Sequence, residues 1–273
     1  MKPETCGMYC HAEFEKLFDT EYNSFWDDKA GECEYAAFYV ETSQGTGGYV
    51  IPPAGYMQKL AATLRRRNIL LVVDEIQMGV FRTGKLWSWE HFGIVPDIFV
   101  FGKAITNGLN PISGIWAREE LISPQRFPPG STHSTFASNP LGTAVALEVL
   151  RMTEEHDFGP GIAQRGAYFL QRLRELKLRW KVIGEVTGLG LALRIELCEP
   201  DGYTPSRQLA DRLFNEGLLG NIALDGRHYG LVLDIGGYYK NVITLAPSLL
   251  ISEAEIDLGI RLFEALLQRV GAS

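Results

Sequence analysis

Short apolar runs alternate with amphipathic segments in the first half of the chain. Residues 35–41 and 69–74 are apolar runs of strand length, and the segment 53–67 between them repeats apolar residues at four-residue spacing, which predicts a helix. The order strand, helix, strand indicates a βαβ unit with parallel strands. The apolar part of the segment 96–103 and residues 111–117 predict two further strands of this sheet.

After about residue 158 the pattern changes to helices that alternate with short strands, which is typical of a compact α+β domain. We therefore expect an irregular segment (1–35), part of a large, mostly parallel-sheet domain (36–158) and a C-terminal small domain (159–273). Ser252 is predicted to start the last helix, because Glu255 stands in the capping-box position. The other predicted elements are helices at 13–18, 139–155, 162–178, 206–216 and 253–269 and strands at 182–187, 191–197, 218–224, 231–235 and 242–245.

Three polar residues end the predicted strands of the large domain. Glu41 and Asp74 close the first two apolar runs, and Lys103 closes the third. The carboxyl edge of an open parallel sheet is where ligands bind, although solvated residues at strand ends would give the same pattern. A buried aspartate needs a cationic partner, and a lysine at a buried strand end is a candidate nucleophile. Asp74 on a protonated pyridine nitrogen and Lys103 in a Schiff base would be the protein's side of pyridoxal phosphate chemistry.

Composition and charge argue against several classes of protein. The 273 residues carry a net charge of −7, and the longest basic run is the three arginines at 65–67. Nucleic acid or an acidic membrane is therefore not expected as a partner. No apolar stretch approaches the length of a membrane span, and no signal-peptide core is found at the N-terminus. We expect a cytoplasmic protein.

Residues 79–85 satisfy the pattern GxxxxGK of a phosphate-binding loop. The next residue is Leu86, however, so the hydroxyl that ligates magnesium in such loops is missing. Arg82 and Lys85 are therefore interpreted as surface or interface charges.

Four residues near the N-terminus could suggest a metal site, but their spacing fits no usual zinc motif. Free cytosolic thiols are the preferred interpretation, and no metal is predicted. These residues are Cys6, Cys10, His11 and Cys33.

The segments around Asp74 and Lys103 closely resemble those of class III aminotransferases, the ornithine, acetylornithine, 4-aminobutyrate and diaminobutyrate type. The resemblance runs from about residue 36 to the C-terminus and implies PLP fold type I, an α/β fold with a large mostly parallel-sheet domain and a C-terminal α+β small domain. The matching segments are ETSQGTGG (41–48), DEIQMGVFRTGK (74–85), EH (90–91), PDI (96–98), GKA (102–104), STFASNPL (134–141), VTGLGL (186–191) and NVITLAP (241–247).

This resemblance implies a role for each matching residue around the cofactor. Lys103 would form the Schiff base with pyridoxal 5'-phosphate and move a proton between the substrate carbon and the cofactor, while Asp74 would bind the pyridinium nitrogen. Ile76 would pack on one ring face, Gln77 would hydrogen-bond the phenolic oxygen, and Glu41 would support the site. The implied reaction moves an amino group between an amine or ω-amino compound and a keto acid or aldehyde.

The resemblance also implies a homodimer with shared active sites. Thr135, with Ser134 beside it, would reach the phosphate of the cofactor in the neighbouring subunit. Each site would then be completed by the other copy of the chain.

Two positions depart from the family pattern. The family usually has a glutamate where this chain has Thr46, and an arginine that binds a substrate carboxylate where it has Thr244. We therefore expect altered carboxylate recognition at this substrate-binding position. An amine substrate without an α-carboxylate, such as an amino aldehyde or a polyamine, would suit it.

The glycine- and serine-rich loop that cradles the cofactor phosphate in the family is not found in residues 1–35. A fragment, one half of a split enzyme with a separate N-terminal half, and a short complete protein are all compatible with the sequence. A chain that is non-catalytic alone, and a lyase or racemase of the same fold, are the alternative functions.

Overall fold

The structure is a computed structural model that describes residues 7–22 and 24–272. Contacts divide the chain into two units, the first comprising Met1–Thr42, Pro52–Val80 and Lys85–Asp157, and the second Ser43–Ile51, Phe81–Gly84 and Phe158–Ser273. Cys6 lies outside the described residues, and within them no three His, Cys, Asp or Glu side chains gather as a metal-binding group. No helix in this described part is both long and apolar enough to cross a membrane.

A four-stranded mixed sheet is the centre of the first unit. The elements of this unit are α1 (Tyr9–Lys16), β1 (Trp26–Asp27), β2 (Glu32–Cys33), β3 (Ala37–Glu41), α2 (Tyr56–Arg66), β4 (Leu70–Asp74), β5 (Ile98–Phe101), β6 (Gly114–Ala117), α3 (Glu119–Ile122) and α4 (Pro140–Glu155). The sheet has the order β3-β4-β5-β6, in which β3, β4 and β5 are parallel and β6 is antiparallel to β5. The predicted βαβ unit is confirmed.

The core of the first unit includes the sheet and helix α2. Leu60 and Leu64 of α2 are buried in one hydrophobic cluster with Val73 of β4, which is the amphipathic pattern predicted for this helix. The helix begins at Tyr56 and not at residue 53, because Gly55 before it has a left-handed φ of 83°. The first helix was also misplaced in the prediction, since α1 spans Tyr9–Lys16 and not residues 13–18.

The second unit is organised around an antiparallel sheet. Its elements are α5 (Gly159–Arg179), β7 (Ile183–Leu189), β8 (Ala192–Leu197), α6 (Arg207–Leu218), β9 (Ile222–Leu224), β10 (Arg227–Tyr229), β11 (Asp234–Gly236), β12 (Val242–Leu245) and α7 (Glu253–Arg269). The sheet order is β11-β12-β8-β7, and α5 packs against both β7 and α7. The predicted cap of α7 is confirmed, because the Ser252 hydroxyl accepts from the Glu255 N–H and the Glu255 carboxylate accepts from the Ser252 N–H.

Two predicted strands of the second unit are corrected. The strand predicted from residue 218 begins at Ile222, because Leu218 is still the last residue of α6. The strand predicted at 231–235 is displaced to β11. Between them β9 and β10 form a hairpin around Asp225 and Gly226, which have φ values of 51° and 73°. An Asp-Gly pair is a strong hairpin signal, so this element was readable from the sequence.

Residues 81–84 are held in the second unit by close backbone contacts. The Leu191 N–H donates to the Arg82 carbonyl at 3.0 Å, and the Arg82 guanidinium donates to the carbonyls of Leu191 (3.2 Å) and Pro247 (2.6 Å). Burial lowers the pKa of Arg82. Of the two alternatives predicted for Arg82, a surface charge does not describe it, because its side chain is half-buried against these carbonyls, and an interface charge stays a prediction. Lys85 is exposed.

Two glycines allow the backbones of this region to meet. A Cβ atom on Gly166 of α5 would lie 2.2 Å from the Gly190 carbonyl oxygen. A Cβ on Gly190, whose φ is 56°, would lie 2.4 Å from the carbonyl carbon of Thr83. Contacts this short leave no room for a methyl group, so α5, the β7–β8 turn and residues 81–84 depend on glycine at both positions.

We predict opposite effects of two glycine-to-alanine changes in helices of the second unit. Gly166→Ala should lower the free energy of unfolding by about 1–3 kcal/mol through overpacking, although alanine is the better helix former by about 1 kcal/mol. Gly259→Ala in α7 is the control, because no atom lies within 4 Å of the added Cβ, and it should raise stability by up to about 1 kcal/mol. Urea unfolding measures both, and a Gly166→Ala protein as stable as Gly259→Ala would contradict the packing described above.

Candidate active site

The three polar residues predicted at strand ends lie at one edge of the first unit's sheet. Glu41 and Asp74 are direct partners in the parallel pairing of β3 and β4, and Asp74 is paired with Val100 of β5. Strand β5 then continues through Gly102 into Lys103, the first residue of a short 3₁₀ helix. The parallel register therefore brings a carboxylate and an amine to the ends of neighbouring strands.

The Asp74 carboxylate is oriented by two donors. Its Oδ1 accepts from the Ile76 N–H at 2.8 Å, and its Oδ2 accepts from the Tyr39 hydroxyl at 2.7 Å. Burial, followed by this hydrogen bond and the charge of Asp74, raises the pKa of Tyr39 to about 12. Tyr39 was not predicted as a site residue, although it stands two positions before Glu41 and therefore faces the same side of the strand.

Lys103 has an unusual backbone conformation. Its φ is 43°, in the left-handed region, and such conformations cost a non-glycine residue about 1–3 kcal/mol and cluster at functional sites. The Lys103 ammonium donates to the Gln77 side-chain oxygen at 3.2 Å. The Ile76 side chain lies beside Gly102, where an added Cβ would be 3.6 Å from it. The predicted residues Asp74, Ile76, Gln77 and Lys103 are thus brought together.

A cleft of about 570 Å³ adjoins Lys103. Ser134 lines this cleft, and Thr135 is exposed and does not contribute to its wall. The cleft walls are mixed in polarity, since Asn110 and Ser113 face it together with Phe136. Ser134 and Lys103 therefore line the same cleft.

Glu75 is a buried carboxyl group that the sequence reasoning did not single out. It is 1% exposed and accepts hydrogen bonds from the Ser88 N–H (2.9 Å), the Ser88 hydroxyl (2.6 Å) and the Trp89 N–H (3.0 Å). Burial raises the pKa of Glu75, and these hydrogen bonds oppose the shift. Because Glu75 directly follows Asp74, its contacts anchor the chain immediately behind the candidate site.

The turn after Glu75 is packed without free space. A Cβ on Gly79 would lie 2.7 Å from the Glu75 carbonyl oxygen and 2.9 Å from the Trp87 ring. The Trp87 ring in turn packs on Phe99 of β5, with ring centroids 4.7 Å apart. The strand that leads to Lys103 and the turn that carries Gln77 are therefore buttressed by the same aromatic side chain.

The two substrate-binding candidates of the sequence lie in the second unit. The Thr46 carbonyl accepts from the Gly237 N–H at 3.1 Å, and the Thr244 hydroxyl donates to the Asp234 carboxylate. Thr244 is paired with Asp234 on one side and with Arg194 of β8 on the other. Arg194 is 9% exposed, and its Nε finds no hydrogen-bond partner in the described part of the chain.

Comparison with known proteins identifies the class. The family model of class III aminotransferases matches residues 8–267. Ornithine aminotransferase of Bacillus subtilis is 37% identical over 233 residues, which are 85% of this chain and 52% of that protein. Alanine/serine racemase of Pyrococcus horikoshii is 32% identical over 235 residues, 86% of this chain and 47% of that protein. The crystal structure of an (S)-enantioselective ω-transaminase from Thermomicrobium roseum superposes with a TM-score of 0.82 at 30% identity, covering 99% of this chain and 57% of that one.

The fold is therefore that of the type I pyridoxal phosphate enzymes. Within this class the chain belongs to the class III aminotransferase family. It spans about half the length of the curated relatives that it matches.

We predict that Glu75→Ala lowers the free energy of unfolding by about 2–4 kcal/mol, because two backbone N–H groups and a hydroxyl lose their acceptor in a buried place. Glu90→Ala is the matched control, since the exposed Glu90 carboxylate accepts from the Trp87 N–H at 2.8 Å in the same turn. Water can replace that bond, so the control should lose no more than about 1 kcal/mol. Equal losses in the two proteins, measured by urea unfolding, would rule out the anchoring role of Glu75.

Proposed function

We propose that this chain carries the catalytic centre of a pyridoxal phosphate-dependent aminotransferase. It would move an amino group between an amine or ω-amino compound and a keto acid or aldehyde. One observation supports this above all: strand β4 ends at Asp74, its parallel neighbour β5 leads through Gly102 into Lys103, and the Lys103 amine donates to the Gln77 side-chain oxygen. Membership of the class III family points to the same chemistry.

The residues at this edge fit pyridoxal phosphate, on which class III aminotransferases depend. Asp74 offers a fixed carboxylate for a pyridinium nitrogen, because its two oxygens already hold the Ile76 N–H and the Tyr39 hydroxyl. Gln77 offers an amide for the ring oxygen, and the Ile76 side chain offers an apolar surface for the ring. When bound, the cofactor supplies a carbonyl group for amines and an electron-withdrawing ring.

Two side chains would carry out the protein's part of the reaction. Lys103 Nζ would bind the cofactor's carbonyl carbon covalently with loss of water, and the substrate amine would displace it. The freed Lys103 amine would then act as the base that takes a proton from the amine-bearing carbon of the substrate. Asp74 would supply the negative charge that keeps a ring nitrogen protonated. Glu41, the direct partner of Asp74 in the sheet, would support this arrangement.

We also propose that two copies of the chain share their active sites. Helix α4 is rich in Ala, Val and Leu, yet of its residues only Gly142 is buried. Leu141 and Leu147 are 64% and 66% exposed, and Phe136, next to Thr135, is 78% exposed. An apolar surface of this kind is typical of an interface. It adjoins Ser134 and Thr135, which would reach the cofactor phosphate in the partner subunit.

A racemase of the same fold is the second candidate. It is favoured by the 32% identity to alanine/serine racemase of Pyrococcus horikoshii. The same two residues, Asp74 and Lys103, would serve either reaction. Analysis of products separates them, because a transaminase consumes a keto acid or aldehyde whereas a racemase inverts an amino acid without an acceptor.

We predict that the purified protein develops a visible absorption band with added pyridoxal phosphate and that Lys103→Ala abolishes it, because the amine that would hold the cofactor is gone. Lys85→Ala is the control, since Lys85 is also an exposed lysine of this unit. Borohydride reduction followed by peptide mapping should locate the label on Lys103. A band that survives in Lys103→Ala would contradict the assignment, and the absence of a band in the unaltered protein would favour a chain that is non-catalytic alone.

The second unit suggests which substrates are disfavoured. The Thr244 hydroxyl has one hydrogen, and it is donated to Asp234. It is therefore not available to a substrate carboxylate, which would also meet the negative charge of Asp234. With Thr46 in place of the family's glutamate, we propose an amine substrate that lacks an α-carboxylate.

We predict slow transamination of ornithine with 2-oxoglutarate compared with a diamine or polyamine and an aldehyde acceptor, because no arginine stands at Thr244 to pair with a carboxylate. Measuring kcat/KM for both pairs under the same conditions tests this. Efficient turnover of ornithine with 2-oxoglutarate would refute the substrate proposal and leave the aminotransferase assignment intact.

A further inference from the structure

Tyr39 and Asp74 are joined by a hydrogen bond across two strands. In the parallel pairing of β3 and β4, Tyr39 stands opposite Val72, and Asp74 stands opposite Glu41. Tyr39 and Asp74 are therefore diagonal neighbours whose side chains leave the same face of the sheet. A tyrosine side chain is long enough to bridge this diagonal, and its hydroxyl lies 2.7 Å from Asp74 Oδ2.

The two hydrogen bonds to Asp74 leave further acceptor positions open on its carboxylate. The Ile76 N–H occupies one position on Oδ1, and the Tyr39 hydroxyl occupies one position on Oδ2. An ionised carboxylate has about four acceptor positions. A donor on each oxygen therefore fixes the plane of the carboxylate while a further donor can still bind.

We propose that Tyr39 is a positioning residue that sets the orientation of the Asp74 carboxylate toward the ring nitrogen of the cofactor. This role rests on the proposed function. The neighbouring strand β3 thereby takes part in the site through a hydroxyl group, in addition to Glu41 at its end. One carboxylate oxygen of Asp74 is held by the N–H of Ile76, two residues further along, and the other is held by Tyr39 of β3.

The protonation state of Tyr39 suits this role. Burial, then the hydrogen bond with Asp74, raises the pKa of Tyr39 to about 12. With this raised pKa the hydroxyl keeps its proton throughout the neutral range. Tyr39 is thus a permanent donor to Asp74, whose carboxylate can only accept.

We predict that Tyr39→Phe weakens the binding of pyridoxal phosphate roughly threefold to tenfold, the loss expected for one hydrogen bond. Tyr39 is only partly buried, with 56% of the residue exposed, so loss of its hydroxyl leaves no cavity in the core. Tyr35→Phe is the matched control, because Tyr35 is also exposed and its ring packs on Phe25. The dissociation constant is read from the visible absorbance of the full chain titrated with pyridoxal phosphate.

A second measurement needs no cofactor. The full chain carrying ¹³C-labelled tyrosine is titrated with base and followed by NMR, and the step of Tyr39 is the one missing from Tyr39→Phe. In Asp74→Asn this step should move to lower pH, because the neighbouring negative charge is gone. The shift should be partial, since burial of Tyr39 is unchanged.

The two measurements separate this role from the proposed function. A titration of Tyr39 that is unmoved in Asp74→Asn overturns the pairing whether or not the cofactor binds. Cofactor affinity that is equal in Tyr39→Phe and Tyr35→Phe overturns the positioning role. If the unaltered chain gives no absorption band, the proposed function fails, and a lowered Tyr39 step in Asp74→Asn still supports the Tyr39–Asp74 contact.

Discussion

The parallel pairing of β3, β4 and β5 is the constraint on which the candidate site depends. Paired parallel strands run to the same edge of a sheet, so residues that end them must become neighbours. Glu41, Asp74 and Lys103 are separated by up to 62 positions in the chain, yet this register brings all three to one edge of the sheet. Leu71, Val72 and Val73 of β4 are buried on both faces of the sheet, as is usual for a parallel strand, and Asp74 is the polar residue at the end of this buried run.

Rigidity behind that edge comes from a second layer of contacts. Glu75 is held by the Ser88 and Trp89 amides, and the Trp87 ring fills the space against Gly79 and Phe99. Burial of the Glu75 carboxylate has an unfavourable desolvation free energy, and hydrogen bonds from three donors offset much of it. These buried contacts hold the backbone that carries Asp74 and Gln77, so the geometry of the site does not depend on its exposed side chains alone.

The sequence was sufficient for those features that depend on local pattern. The βαβ unit, the amphipathic face of α2 and the Ser252 cap follow from periodicity and near-neighbour chemistry. Tyr39 and Glu75 were missed because their partners lie 35 and 13 residues away, and neither pairing has a periodic signal. The contacts of Arg82 were not predicted for the same reason, since its acceptors Leu191 and Pro247 are more than 100 positions distant.

The row of side chains across the second unit's sheet extends the account of substrate choice. Thr244 lies between Asp234 and Arg194 in register, and the Glu196 carboxylate is 3.7 Å from the Arg194 guanidinium. Glu196 is paired with Val242 and stands two positions from Arg194 on the same face of β8, so this part of the sheet contains one cation and two anions. An anionic group at this part of the sheet would meet a net negative charge, whereas a cationic group would be attracted. The charge of Arg194 is partly balanced by Glu196, so this arrangement agrees with the altered carboxylate recognition that we propose from Thr46 and Thr244.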